Sequence, residues 1–101
     1  MERTALKTIN ITSDTNAALS GVTLVWGVIL RATNGTTLSS VALHDATTVT
    51  GTAIIQVGNN TTDATNYDQY SGVMFPAPVK FFTAVSVNMT GASAVADIYY
   101  S

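Results

Sequence analysis

The sequence has 101 residues, of which 47% are hydrophobic and 10% are charged, with a formal net charge of −2, one His and no Cys. This length fits one domain, since a single hydrophobic core typically fills a chain of roughly 100 to 150 residues. An average soluble domain has about 25% charged residues, so this composition excludes a disordered tail and the basic footprint of a nucleic-acid-binding protein. Without cysteine there is no disulfide, and stability must come from packing.

The N-terminal charges are not followed by the apolar block of a signal peptide, so we expect synthesis in the cytoplasm. The longest apolar stretch, Val22 to Leu30, has about half the length that a membrane-spanning helix needs. We therefore expect no membrane segment.

Threonine, valine, serine and alanine dominate the sequence, and β-branched residues favour strands. Glu, Lys and Arg, which populate exposed helix faces, are scarce. Seven or eight short stretches of this kind, spaced by roughly 10 to 12 residues, predict one all-β domain over the whole chain. The predicted architecture is a β-sandwich or a small jelly roll of antiparallel strands, with Met1 to Thr4 as an N-terminal arm.

The first predicted strand places Ala5, Lys7, Ile9 and Ile11 on one face and ends at a polar segment, 13–16. The second, Val22 to Leu30, is apolar on both faces, which predicts a strand covered on both sides. One face carries Val22, Leu24, Trp26, Val28 and Leu30, so we place Trp26 in the core. Asn34-Gly35 is the dipeptide of a type I′ turn and predicts a β-hairpin with the next strand, Thr37 to Leu43.

A further strand is predicted at Thr52 to Val57, before a polar loop at 58–66, and extended structure resumes from Tyr67 to Phe75. Pro76 and Pro78 lack the N–H that a sheet ladder needs, so this segment belongs at a sheet edge or at a crossing between sheets. Val79 to Met89 alternates, with a break near Phe82. After a turn at 90–93, Ala94 to Tyr100 alternates again, which predicts a terminal hairpin.

His44-Asp45 is the one place in the sequence where a histidine meets a carboxylate. Neighbouring strand residues point to opposite faces, so Asp45 could orient His44 as in a serine hydrolase only if both lie in a turn. The nucleophile-elbow motif is absent. We interpret the pair as a solvated turn and predict that the protein is not an enzyme.

The polar loop offers oxygen ligands of the kind that calcium prefers, from Asn59, Asn60, Asp63 and Asp68. Their spacing follows neither the EF-hand nor the RTX pattern, and we predict a hydrophilic loop with no metal and no cofactor. Tyr67 and Tyr70 flank Asp68 and Gln69, a mixture that stacks on sugar rings in other proteins. We favour instead the interpretation of an edge strand with solvated tyrosines.

Apolar residues are more numerous than one small core can cover, because a domain of this size buries only about 65% of its unfolded surface. Both faces of Val22 to Leu30 are apolar, and so are residues near predicted edges: Phe75, Phe82, Tyr99 and Tyr100. The chain has few charges whose repulsion would keep its copies apart. We therefore predict self-association or docking on a larger assembly, with the N-terminal arm, Phe75, Pro76 and Phe82 as candidate contacts.

Three segments of the second half carry a family resemblance: Phe75 to Phe81 with its two prolines, Ala84 to Gly91, and Ala96 to Tyr100. Together with the strand start Thr50-Gly51-Thr52, they resemble small β-sandwich virion proteins of tailed bacteriophages. Such chains often end with a proline-bearing edge strand, a V-x-V-x-x-T-G turn and an aromatic final strand. The resemblance covers roughly half of the chain and concerns structural motifs rather than an active site.

The resemblance implies a non-enzymatic virion protein, assembled in the host cytoplasm: a capsid decoration (cement) protein or a small tail-associated component. Its implied partners are the major capsid protein, other virion proteins and its own copies, with no nucleic acid and no membrane. The alternative function is a tail-associated carbohydrate- or receptor-binding module, carried by Tyr67, Asp68, Tyr70 and the loop 59–66. A hydrolase that uses His44 and Asp45 is the third hypothesis.

Overall fold

The computed structural model describes residues 6–32, 39–59, 69–90 and 94–101. These ranges contain eight β-strands and no helix. The strands are β1 (Lys7–Ile11), β2 (Thr15–Ser20), β3 (Thr23–Ala32), β4 (Ser39–Asp45), β5 (Ile55–Asn59), β6 (Gln69–Phe81), β7 (Ala84–Thr90) and β8 (Ala94–Tyr100). The prediction of an all-β fold is confirmed.

The strands form two four-stranded antiparallel sheets. Sheet I has the order β1-β8-β3-β6, and sheet II has the order β2-β7-β4-β5. The first strand thus pairs with the last, the second with the seventh, the third with the sixth and the fourth with the fifth. This order arises when an antiparallel ribbon wraps around a core, and it is the strand order of a jelly roll. The predicted sandwich is confirmed in this form.

Both predicted hairpins are wrong. The turn dipeptide Asn34-Gly35 lies outside the described residues, but the strands on either side of it, β3 and β4, belong to different sheets. The same holds for β7 and β8. Among the described strands that follow one another in the chain, β4 and β5 alone are neighbours in a sheet. A turn motif predicts a chain reversal, but burial of the two inner sheet faces decides which strands pair.

The sequence analysis missed β2, because its three apolar residues, Ala17, Ala18 and Leu19, are consecutive and do not alternate with the polar ones. Its pairing with β7 is irregular: Thr15 lies opposite Val87 and Leu19 opposite Val85. Between them Ala17 has a φ of 47°, a left-handed conformation that a residue with a Cβ rarely adopts. An irregular strand of this kind gives no periodic signal.

A bulge at Trp26 interrupts β3. Val25 is opposite Tyr100 of β8 and Gly27 is opposite Tyr99, so Trp26 is an extra residue in the ladder. Thr23 and Val25 face the core before the bulge, and Val28 and Leu30 face it afterwards. The predicted common face, with Val22, Leu24 and Trp26 beside Val28 and Leu30, is therefore wrong. Trp26 is half-buried outside the core, where its Nε1 donates to Ser101 Oγ at 3.0 Å.

The proline segment lies on the edge strand β6, as predicted. Val79 pairs with Val25 and Met74 with Gly27, so the four residues Phe75 to Pro78 face Trp26 alone. They leave the regular ladder there, and neither proline has to donate a hydrogen bond. The predicted break near Phe82 is also confirmed, because the chain passes from sheet I to sheet II between Phe81 and Ala84.

The core lies between the two sheets. Its most deeply buried large side chains are Val25, Val28, Leu30, Val41, Leu43, Phe81, Val85, Val87 and Ile98. They come from both sheets, which explains why the inner faces are apolar on β3, β4, β6, β7 and β8.

Candidate interaction surfaces

Three connections meet at one end of the sandwich: the turn Gly21-Val22, the corner Phe82-Thr83 and the segment 46–54. The corner is held by the carboxylate of Asp45, the last residue of β4. This carboxylate accepts hydrogen bonds from the backbone N–H groups of Phe82 at 3.0 Å, Thr83 at 2.8 Å and Ala84 at 3.4 Å. The bonds hold the pKa of Asp45 below its usual value, with that from Phe82 contributing most; partial burial of the carboxylate opposes them.

The turn Gly21-Val22 is tied to the same corner. The Gly21 N–H donates to the Thr83 carbonyl at 3.0 Å, and the Gly21 carbonyl accepts from Thr23 Oγ1 at 3.2 Å. Gly21 has a φ of 77°, which favours glycine at this turn. These contacts fix the backbone at the end of the sandwich.

Large apolar side chains project from the strand ends and connections at this end of the sandwich. We call the set Leu6, Val22, Ile54 and Phe82 the apolar end; the four are 46%, 65%, 53% and 65% exposed. Thr23 of β3 pairs with Phe81 of β6. Val22 and Phe82 each lie one residue beyond this pair, so they are at the neighbouring ends of the two strands. The ammonium group of Lys80 lies 5.2 Å from the centre of the Phe82 ring, within the range of a cation–π contact.

The outer surface of sheet I carries a group of apolar side chains beside the polar residues Asn10, Lys80, Arg31 and Asp97. It is formed by the side chains that point away from the core. We use the name outer face of sheet I for this surface, whose apolar members are Leu24, Trp26, Ile29, Met74, Val95 and Tyr99. Met74 is 50% exposed and the others are half-buried. Tyr99, Gly27 and Met74 form one row across the sheet. A Cβ at residue 27 would collide with the sulfur of Met74, so Met74 lies flat over Gly27.

The outer surface of sheet II has the opposite character, because its residues are small or polar and the chain covers part of it. Ser86 is fully buried there: its Oγ accepts from the Ala17 N–H at 2.9 Å and donates to the Ala46 carbonyl at 2.6 Å. Asn16 Oδ1 accepts from the Val49 N–H at 3.1 Å. The segment after β4 is thereby fixed over this sheet.

The structure does not bring His44 and Asp45 together as a catalytic pair. His44 is 7% exposed, so the interpretation as a solvated turn is wrong for it. Its Nδ1 lies 3.1 Å from the Thr50 carbonyl, which can only accept, so this nitrogen carries the proton. Its Nε2 is buried and has no hydrogen-bond partner within the described ranges. The oxygens of Asp45 accept from the backbone amides of 82–84 instead.

The candidate contacts named from the sequence are dispersed. Phe75 is half-buried and packs against the core, Pro76 is exposed, and Phe82 belongs to the apolar end. Tyr67 lies outside the described residues, as do 60–66 and Asp68. Tyr70 is opposite Arg31 in sheet I, but its side chain is outside the description. The predicted contacts of these residues stay predictions.

In the part of the chain that the structure describes, no three His, Asp or Glu side chains come close enough to hold a metal ion, and no pocket is present. The same ranges include no helix long and apolar enough to cross a membrane. Sequence reasoning missed Leu6, Val22 and Ile54 as exposed residues and assigned Val22 to an apolar strand face. A glycine turn directly before Val22 was the signal that this residue precedes the strand.

The comparisons with known proteins add no relative. No family model matches the chain, and neither the curated proteins nor the solved structures contain a match.

Proposed function

We propose that this protein is a non-enzymatic structural protein of a bacteriophage virion, a capsid decoration protein that binds the assembled shell and stabilises it. The apolar end carries the proposal: four large apolar side chains project into solvent from one end of the sandwich. Together they expose on the order of 400 Å², a size at which the apolar patches of monomers are often functional.

The fixed backbone at this end supports the proposal. A flexible loop would have to be ordered on binding, which costs free energy. Here the amides of 82–84 are bound to Asp45 and the Gly21 turn is bound to Thr83, so Val22 and Phe82 are already in place. A protein that must bind many equivalent sites on a shell benefits from such preorganisation.

The fold and the low charge content agree with this function. Jelly rolls occur in viral capsid proteins and also in lectins and other proteins, so the fold permits the function without specifying it. The sequence resemblance to phage virion proteins favours the capsid among these possibilities. A decoration protein that binds the assembled shell and not its free subunits stabilises the shell by mass action.

The test uses capsids assembled without this protein, from the phage whose genome encodes it. The full chain is added in excess, and binding is measured by co-sedimentation and the capsid disruption temperature by calorimetry. We expect saturable binding and a higher disruption temperature. The double variant Val22→Ser, Phe82→Ser should bind at least about tenfold more weakly, because it removes two exposed apolar contacts.

Val73→Ser is the matched control. Val73 is 36% exposed but lies on β6 away from the apolar end, so this variant should bind as the natural protein does. Absence of any change in the disruption temperature at saturating protein would contradict the proposal. Equal losses in the double variant and in Val73→Ser would show that the apolar end is not the binding surface.

A further inference from the structure

The outer face of sheet I is large enough to bind a second macromolecule. Its four strands are spaced by about 4.8 Å, and the eight residues from Leu24 to Arg31 rise about 3.3 Å each, which gives about 500 Å². Two such faces in contact bury about 1,000 Å², the area at which specific protein interfaces begin. A second copy of this chain supplies a face of matching size.

The charges on the two central strands of this face are complementary under a two-fold symmetry. Arg31 lies on β3, and Asp97 lies on the neighbouring β8, one outward-facing row away. The Nε atom of Arg31 is buried within its own chain, so only the terminal guanidinium nitrogens can donate to a second copy. Asp97 accepts one hydrogen bond from the side chain of Asn10 across the β1 pair.

A two-fold axis parallel to the strands places β3 of each copy over β8 of the other. Arg31 then lies within one row of Asp97 of the second copy, on both sides of the axis. In this arrangement Tyr99 of the second copy would lie over the row that contains Gly27, within reach of the Met74 sulfur that covers Gly27. The same residues serve both partners, as a two-fold interface requires.

From this geometry we infer that two copies of the chain pair through the outer faces of their first sheets, with Arg31 of each copy bound to Asp97 of the other. The apolar end is not used in this contact and is left for the shell. The inference does not depend on the proposed function, because the dimer forms in solution.

Sedimentation equilibrium of the full chain, from low micromolar to millimolar concentration, tests this inference. We expect a dimer, and we expect Met74→Lys to weaken dimerisation roughly tenfold or more, since it places a charge in an apolar contact. Gln56→Lys is the matched control, because Gln56 is exposed on the outer face of sheet II. It should leave the dimer unchanged.

A charge exchange tests the ion pair itself. Arg31→Asp and Asp97→Arg should each weaken the dimer, and the double variant should restore it, with circular dichroism confirming that each variant is folded. A chain that stays monomeric throughout, equal weakening by Met74→Lys and Gln56→Lys, or a double variant no better than the singles would each overturn the inference. Capsid binding by a monomeric chain would leave the proposed function standing, whereas dimers that do not bind capsids would contradict that function alone.

Discussion

The outer surfaces of the two sheets differ in what covers them. Sheet II presents small polar residues outward, and the chain itself covers part of them: Ser86 accepts from the Ala17 N–H, Asn16 accepts from the Val49 N–H, and His44 donates to the Thr50 carbonyl. Sheet I presents Trp26, Met74 and Tyr99, and no described segment covers them. Part of the polar surface of sheet II is thus buried within the molecule, whereas Met74 of sheet I is left 50% exposed. We propose that a second copy of the chain covers the apolar residues of sheet I.

The largest expected effect comes from breaking the cover of sheet II. Ser86→Ala removes two hydrogen bonds and leaves the Ala17 N–H unsatisfied, which should cost about 3 kcal/mol of unfolding free energy. Urea denaturation measures it. Thr90→Ala, on an exposed position of the same strand, is the control and should change stability little. A loss no larger than that of the control would mean that the cover is not held by Ser86.

The next largest effect is expected at Gly27 of sheet I, over which the Met74 side chain lies. Gly27→Ala forces the Met74 side chain aside and also brings the new Cβ to 2.8 Å from the Val73 carbonyl, so we expect a loss of about 2 kcal/mol. Met74→Ala in the same chain should recover part of that loss and not all of it, because the carbonyl is backbone. A double-mutant cycle by denaturant unfolding gives the coupling. Strictly additive losses would show that Met74 does not rest on Gly27.

The hydrogen bonds from the backbone amides of 82–84 to the Asp45 carboxylate should contribute less to the unfolding free energy, because Asp45 is only partly buried. Asp45→Asn removes the charge that strengthens the bonds to 82–84, at a cost of about 1 kcal/mol at neutral pH. The folded pKa of Asp45 is lowered, so its contribution is complete above the ordinary value of about 4 and is lost as the pH falls through the folded pKa. The difference in unfolding free energy between Asp45→Asn and the natural protein should therefore be smaller at acidic pH than at neutral pH. A constant difference would contradict this account.

The smallest effect is expected at the apolar end itself. Val22→Ser should change the unfolding free energy by less than about 0.5 kcal/mol, since the side chain is 65% exposed. Thermal unfolding is sufficient to check it. A large destabilisation would mean that Val22 packs within its own chain. It would contradict the place of Val22 in the proposed binding surface.

The sequence was sufficient to predict the all-β class and most of the strands, but it missed β2 and the arrangement of the strands. Alternation identified β7 and β8 and the break at Phe82, and the prolines placed β6 at an edge. Asn34-Gly35 indicated a reversal, yet β3 and β4 pair in different sheets because each strand needs its apolar face on the common core. The face of β3 was misread because nothing in a regular two-residue period reveals one extra residue at Trp26.

The candidate surface was predictable in part. An excess of apolar residues pointed to partners, and Phe82 was identified among them. Val22 and Ile54 were not, because their exposure depends on how three connections meet at one end of the sandwich, which is a tertiary property. Met74 became recognisable only when the register placed it beside Gly27 and Tyr99.

Hydroxyl-radical footprinting of the free and the capsid-bound protein tests the central claim most directly, since Phe82 and Met74 both react readily when exposed. The account predicts that oxidation of Phe82 falls sharply when the protein binds capsids, while Met74 is already protected at concentrations where the free chain is dimeric. Equal oxidation of Phe82 in the free and bound protein, together with a fully reactive Met74 at every concentration, would contradict it.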